Sequence, residues 1–89
     1  MKVIFEYKDR SGKVLPNNNI EKELTNDEIL VLLNSKEVDY PVNNGLLYTI
    51  RHCIIENSTY DMFTEPYKLK ISLIEKPQLW LQNYRCVNE

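Results

Sequence analysis

Arg51, His52 and Cys53 place three catalytic side-chain types side by side: a cation, an imidazole that exchanges a proton near neutral pH, and a thiol that attacks as its thiolate. His52 is the only histidine, so any general acid–base chemistry that rests on imidazole must run through it. Their spacing works against a joint role. They fall in an apolar run that reads as a strand, where neighbouring side chains leave on opposite faces, so His52 and Cys53 cannot touch within it. A small-ligand or hydrolytic role for Arg51, His52 and Cys53 is therefore an alternative, behind a structural role for each. One histidine and two cysteines, Cys53 and Cys86, show no C-x-x-C or H-x-x-x-H spacing for a metal. The two glycines, Gly12 and Gly45, both read as turn residues, which leaves no glycine-rich phosphate loop. Neither metal nor cofactor is expected.

Other charged and aromatic groups have competing explanations. Glu21, Glu23, Asp27 and Glu28 could offer carboxylates to a divalent ion, yet helix capping and the helix dipole also call for acids there. Lys76, Trp80, Tyr84 and Arg85 mix cations with rings, as surfaces that stack bases and hold phosphates do; this is the nucleic-acid-binding alternative. A formal net charge of -2 argues against it, because binding a phosphate backbone needs a cationic excess. Tyr60, Met62, Phe63 and Tyr67 crowd one segment, with Trp80 and Tyr84 further along. Such residues are enriched at protein–protein contacts, where a large apolar body is buried and a polar tip keeps a hydrogen bond.

The elements that must position these groups are those of one small domain. Two halves of an 89-residue chain would each be too short to bury a core unaided. A hydrophobic fraction of 43% with 27% charged residues is that of a folded globular chain, not a disordered one. Met1–Glu6 alternates and carries charge where a signal peptide would be continuously apolar, and no run approaches a membrane span, so a cytoplasmic location with reduced cysteines is expected. The sequon at Asn57 then reads as part of a polar loop.

Lys2–Lys8 alternates with the period of a strand, and Asp9-Arg10-Ser11-Gly12 supplies a turn. A broken second arm follows through Lys13–Leu15 and Ile20–Leu24, interrupted at Pro16. Thr25 and Glu28 form a capping box and Leu24 and Ile29 a hydrophobic staple, which predicts a helix over about 26–35 that covers a sheet. Glu37–Val42 predicts a strand, Asn43-Asn44-Gly45 a hairpin turn, and Leu46–Glu56 a long strand apolar on both faces, as cover on both sides or contact with a second copy would require. Residues 57–66 read as a loop and 68–73 as a strand; residues 79–84 fit a strand or a short helix after Pro77.

The fold class expected is α+β: one helix on a mostly antiparallel sheet of four to six strands in the order ββαβββ(β). That pattern resembles the β-grasp and other one-helix-on-a-sheet architectures, which host many unrelated functions. Lacking a catalytic or metal set, the chain is expected to be a non-enzymatic binding protein with a protein partner, through Tyr60, Met62, Phe63, Tyr67, Trp80 and Tyr84. Its Asn-, Lys- and Ile-rich composition is similar to that of small proteins of AT-rich bacteria and their phages, which points towards an inhibitor or accessory factor of anti-defence type.

Overall fold

The computed structural model describes residues 1–43, 45–63 and 65–76. The chain runs through β1 (Lys2–Lys8), a 3-10 turn (Pro16–Asn18), β2 (Ile20–Glu23), α1 (Asn26–Leu33), β3 (Val38–Asn43), β4 (Tyr48–Asp61) and β5 (Lys68–Glu75). The five strands form one sheet in the order β2-β1-β5-β4-β3. β1 pairs with β5 in parallel and the other pairs are antiparallel, so the sheet is mixed and the β-grasp pattern is met only roughly. The segment 79–84 lies outside the described residues.

The core follows from strand alternation. Val3, Phe5 and Tyr7 of β1, Leu69, Ile71 and Leu73 of β5, Tyr40 and Val42 of β3 and Cys53 of β4 all turn to one face and are buried. That face is strongly curled. β1 and β3 stand three strand spacings apart, which a flat sheet would make about 14 Å. Tyr40 nevertheless stacks on Tyr7 with ring centroids 5.6 Å apart and the planes 4° from parallel, and it lies 6.1 Å from the Phe5 ring. The 3-10 turn fastens this closure, because the Tyr40 hydroxyl donates to the Asn18 carbonyl and the Asn43 N–H donates to Asn18 Oδ1 at 2.9 Å.

Neither outer strand, β2 nor β3, is suited to pairing with another strand. β2 is short and reads Ile-Glu-Lys-Glu. On β3 the Asn43 N–H points away from β4, and Pro41, two residues earlier on the same edge, has no N–H to offer.

The first turn forms as its residues predict. Asp9 Oδ1 accepts from the N–H groups of Ser11 (2.9 Å) and Lys13 (3.0 Å) and from the Ser11 hydroxyl (2.6 Å), while Gly12 takes a φ of 86°. These bonds, led by that from the Ser11 hydroxyl, hold the Asp9 carboxyl below its ordinary range. The second arm reaches the sheet there only as a single bridge, Lys8 to Val14.

The helix differs from expectation at its end and in its burial. The capping box is complete, with Glu28 N–H donating to Thr25 Oγ1 (3.2 Å) and Thr25 N–H to Glu28 Oε1 (2.9 Å). The helix stops at Leu33, because the Asn34 and Ser35 side chains turn back to the Leu30 and Val31 carbonyls at 2.8 and 2.7 Å. Ile29 and Leu32 pack on the core, yet no residue of α1 is buried, and Leu30, Val31 and Leu33 remain exposed. The helix sits against the sheet without covering it.

Residues 57–61 are strand, not loop. A bulge between Ile55 and Asn57 breaks the alternation, after which Asn57–Asp61 pair with Ser72–Lys68 of β5. At its other end β4 begins at Tyr48 instead of Leu46.

Candidate functional site

The long β4–β5 hairpin carries the aromatic residues singled out above. Tyr60 lies opposite Leu69 and Asp61 opposite Lys68, so Tyr60 is a strand residue at the turn end of the hairpin. Its ring meets that of Tyr67 edge-on, with centroids 6.2 Å apart and planes at 80°, an arrangement in which the positive edge of one ring faces the negative face of the other. Asp61 then turns the chain, its Oδ1 accepting from the Phe63 N–H at 2.9 Å while its Oδ2 lies 3.8 Å from Lys70 Nζ. Beyond that turn Phe63 is 99% exposed and Met62 63% exposed. The structure thus brings Tyr60, Met62, Phe63 and Tyr67 together on one projection. Trp80 and Tyr84 lie outside the described residues.

The Arg51–His52–Cys53 triplet is divided by the strand. His52 is on the outer, convex face, where its Nδ1 lies 2.7 Å from Asp39 Oδ1 on β3 and 3.9 Å from Glu37 Oε1. Cys53 is fully buried on the concave face. Burial, then the negative charges of Glu75 and Asp39, push its thiol up to about 11, which leaves almost no thiolate at neutral pH.

Arg51 belongs to a cluster at the end of the core. Glu75, only 10% exposed at its side chain, receives a 2.6 Å hydrogen bond from the Tyr7 hydroxyl, and its carboxylate lies 2.7 Å from Arg10 Nε and 3.8 Å from Arg51 Nε. Burial, reinforced by that bond to Glu75, keeps the Tyr7 phenol protonated well above its ordinary range. Two guanidinium groups and a phenol satisfy the carboxylate, so the arrangement closes the core instead of presenting a reactive group. Sequence reasoning missed this cluster, because its members are brought together only by the pairing of β1 and β4 with β5.

A second apolar surface was also missed in part. The outer face of β4 shows Tyr48, Ile50 and Ile54 across from Asn43, Pro41 and Ile74, and Leu46 and Leu47 stand exposed in the preceding turn. The two-faced pattern of this strand was visible; that its outer face has no cover within the described residues was not.

Among the described residues, no group of three or more His, Cys, Asp and Glu side chains could hold a metal ion, and no helix is long and apolar enough to cross a membrane. No protein family, curated protein or solved structure matches the chain.

Proposed function

We propose that the chain is a non-enzymatic binding protein, of the inhibitor or accessory kind, that inserts the tip of its β4–β5 hairpin into an apolar cleft on a protein partner. The observation that carries this reading is the exposure of Phe63 in the segment that joins β4 to β5. The Asp61 carboxylate holds the Phe63 N–H, and the Tyr60–Tyr67 pair ties the two sides of the hairpin beneath it. Large apolar side chains presented on a projection are typical anchors, and one such anchor carries a large share of an interface's affinity. Affinity purification of the full chain from a native lysate, with partners identified by mass spectrometry, tests the proposal. A partner retained by the wild type and lost with Phe63→Ala and Met62→Ala supports it; equal recovery by the variant removes it.

The outer face of β4 favours a second reading, contact with another copy of the chain. Tyr48, Ile50 and Ile54 present three large apolar groups in line along one strand face. Light scattering across a concentration range decides it, since Ile50→Lys should turn a dimer into a monomer.

A further inference from the structure

The apolar outer face of β4 and the hairpin tip lie at opposite ends of one strand. Tyr48 opens that strand and Asp61 closes it, ~40 Å away at the rise of an extended chain. A body that covers the first leaves the second free. Leu46, Leu47, Tyr48, Ile50 and Ile54 together expose roughly 700 Å², taking about 200 Å² for each whole residue, against about 800 Å² per partner in an ordinary stable interface. A second copy brings an apolar surface of the same size and shape, as contacts about a two-fold axis do. Because β2 and β3 are both poor edges for pairing, two copies meet face to face and not edge to edge.

A polar row crosses this face. His52 stands between Ile50 and Ile54 on the same side of β4, so whatever covers those two covers it as well. Asp39 and Glu37 face it from β3 and the residues before that strand, with Nδ1 2.7 Å from Asp39 Oδ1 and 3.9 Å from Glu37 Oε1. Lys76 faces it from the end of β5, donating its backbone N–H to the His52 carbonyl at 2.9 Å while its Nζ lies 3.2 Å from Glu37 Oε1. Arg51 and Glu75 belong to the other face of the sheet. Lys76 thus answers Glu37, and Asp39 has only the imidazole. In a single copy water stands in for the missing charge, since the His52 and Asp39 side chains are each 64% exposed.

We infer that two copies join through the outer faces of β4 and that the His52–Asp39 pair, closed into this contact, makes the dimer tighten as pH falls through the range in which imidazole takes up a proton. This control rests on the contact between copies proposed above for the same face. With a neutral imidazole, the contact strips water from a carboxylate that has no cation of its own, which opposes association. With an imidazolium, the pair enters the contact without net charge and joined by a charge-assisted hydrogen bond. The dimer therefore takes up protons as it forms, and acid favours it. The tip around Phe63 stays free in both copies.

Sedimentation equilibrium of the full chain at pH 6 and pH 8, with circular dichroism to check the fold, tests this. The wild-type dimer should be tighter at pH 6 by about tenfold or more. His52→Gln should dimerise with equal strength at the two values. Asp39→Asn, which removes the carboxylate left unpaired at pH 8, should bind more tightly than the wild type there and lose the gain on acidification. Ile50→Lys should be monomeric throughout. A wild-type dimer of equal strength at pH 6 and pH 8, or one that weakens with acid, overturns the control by His52 and leaves the contact standing; so does a gain with acid that His52→Gln retains. A wild type that is monomeric at every concentration and both pH values, or an Ile50→Lys chain that still dimerises, removes the contact itself and the control with it.

Discussion

Replacing Tyr40 by phenylalanine and by alanine separates the two ways in which β3 is held over β1. Tyr40→Phe keeps the ring stacked on Tyr7 and removes only the hydroxyl that donates to the Asn18 carbonyl. Losing such a bond in a partly buried place, with the acceptor left behind, costs about 1–3 kcal/mol. For a domain of this size that lowers the melting temperature by roughly 4–8 °C per kcal/mol. Tyr40→Ala also empties the space of a ring that is only 3% exposed, a change that typically costs about 3–5 kcal/mol. The loss of contact with Tyr7 and Phe5 adds about 0.5–1.5 kcal/mol for each ring pair. An ordinary 89-residue domain has about 4–13 kcal/mol in total, so Tyr40→Ala should lose a large share of its stability and Tyr40→Phe much less. Urea unfolding followed by circular dichroism measures both. If Tyr40→Ala costs less than about 1 kcal/mol, closure of the sheet by the Tyr7–Tyr40 stack does not hold the fold together.

Three further outcomes follow from the same geometry. Thr25→Ala breaks the capping box and should cost about 1 kcal/mol in urea unfolding, with helix content falling first on warming. Stability should fall as pH rises from about 9 to 11, because the unfolded chain releases the Cys53 proton near its ordinary value whereas the folded chain holds it to about 11. That difference amounts to roughly 2–3 kcal/mol. Tyr7 and Tyr40, the latter pushed up to about 12 by burial and then by the charge of Cys53, act in the same direction. Cys53→Ala should flatten the decline between pH 9 and 11, and an unchanged decline would contradict the assignment. Alkylation mapped by peptide mass spectrometry should leave Cys53 unmodified at neutral pH until the chain is denatured.

Much of the local structure was legible because each signal is carried by neighbouring residues. Asp9 and Gly12 specify their turn, Thr25 and Glu28 their cap, and the alternation of Val3, Phe5 and Tyr7 and of Leu69, Ile71 and Leu73 marks the core side of β1 and β5. What was lost depended on breaks in period and on distant pairing. The bulge at Glu56 inserts one residue, so Ile55, Ser58 and Tyr60 share a face although their spacing is not uniformly two, and Asn57-Ser58-Thr59 then looks like a loop. The parallel pairing of β1 with β5 joins residues more than sixty positions apart and leaves no local trace. The apolar run of α1 pointed to a covered helix, yet within the described residues the sheet covers only the side that carries Ile29 and Leu32. For the candidate site, the clustering of Tyr60, Met62, Phe63 and Tyr67 was visible, but the hairpin that projects them was not, since half of it was read as loop.

The claim that binding resides in the hairpin tip is tested most directly by titrating a purified partner with wild-type chain, Phe63→Ala and His52→Ala by calorimetry. An anchor of this kind is worth about 2 kcal/mol or more, so Phe63→Ala should weaken affinity at least ~30-fold. Its melting temperature should stay that of the wild type, since the ring touches nothing that holds the fold. His52→Ala should bind as the wild type does. Unchanged affinity with Phe63→Ala, or a loss confined to His52→Ala, would contradict the account.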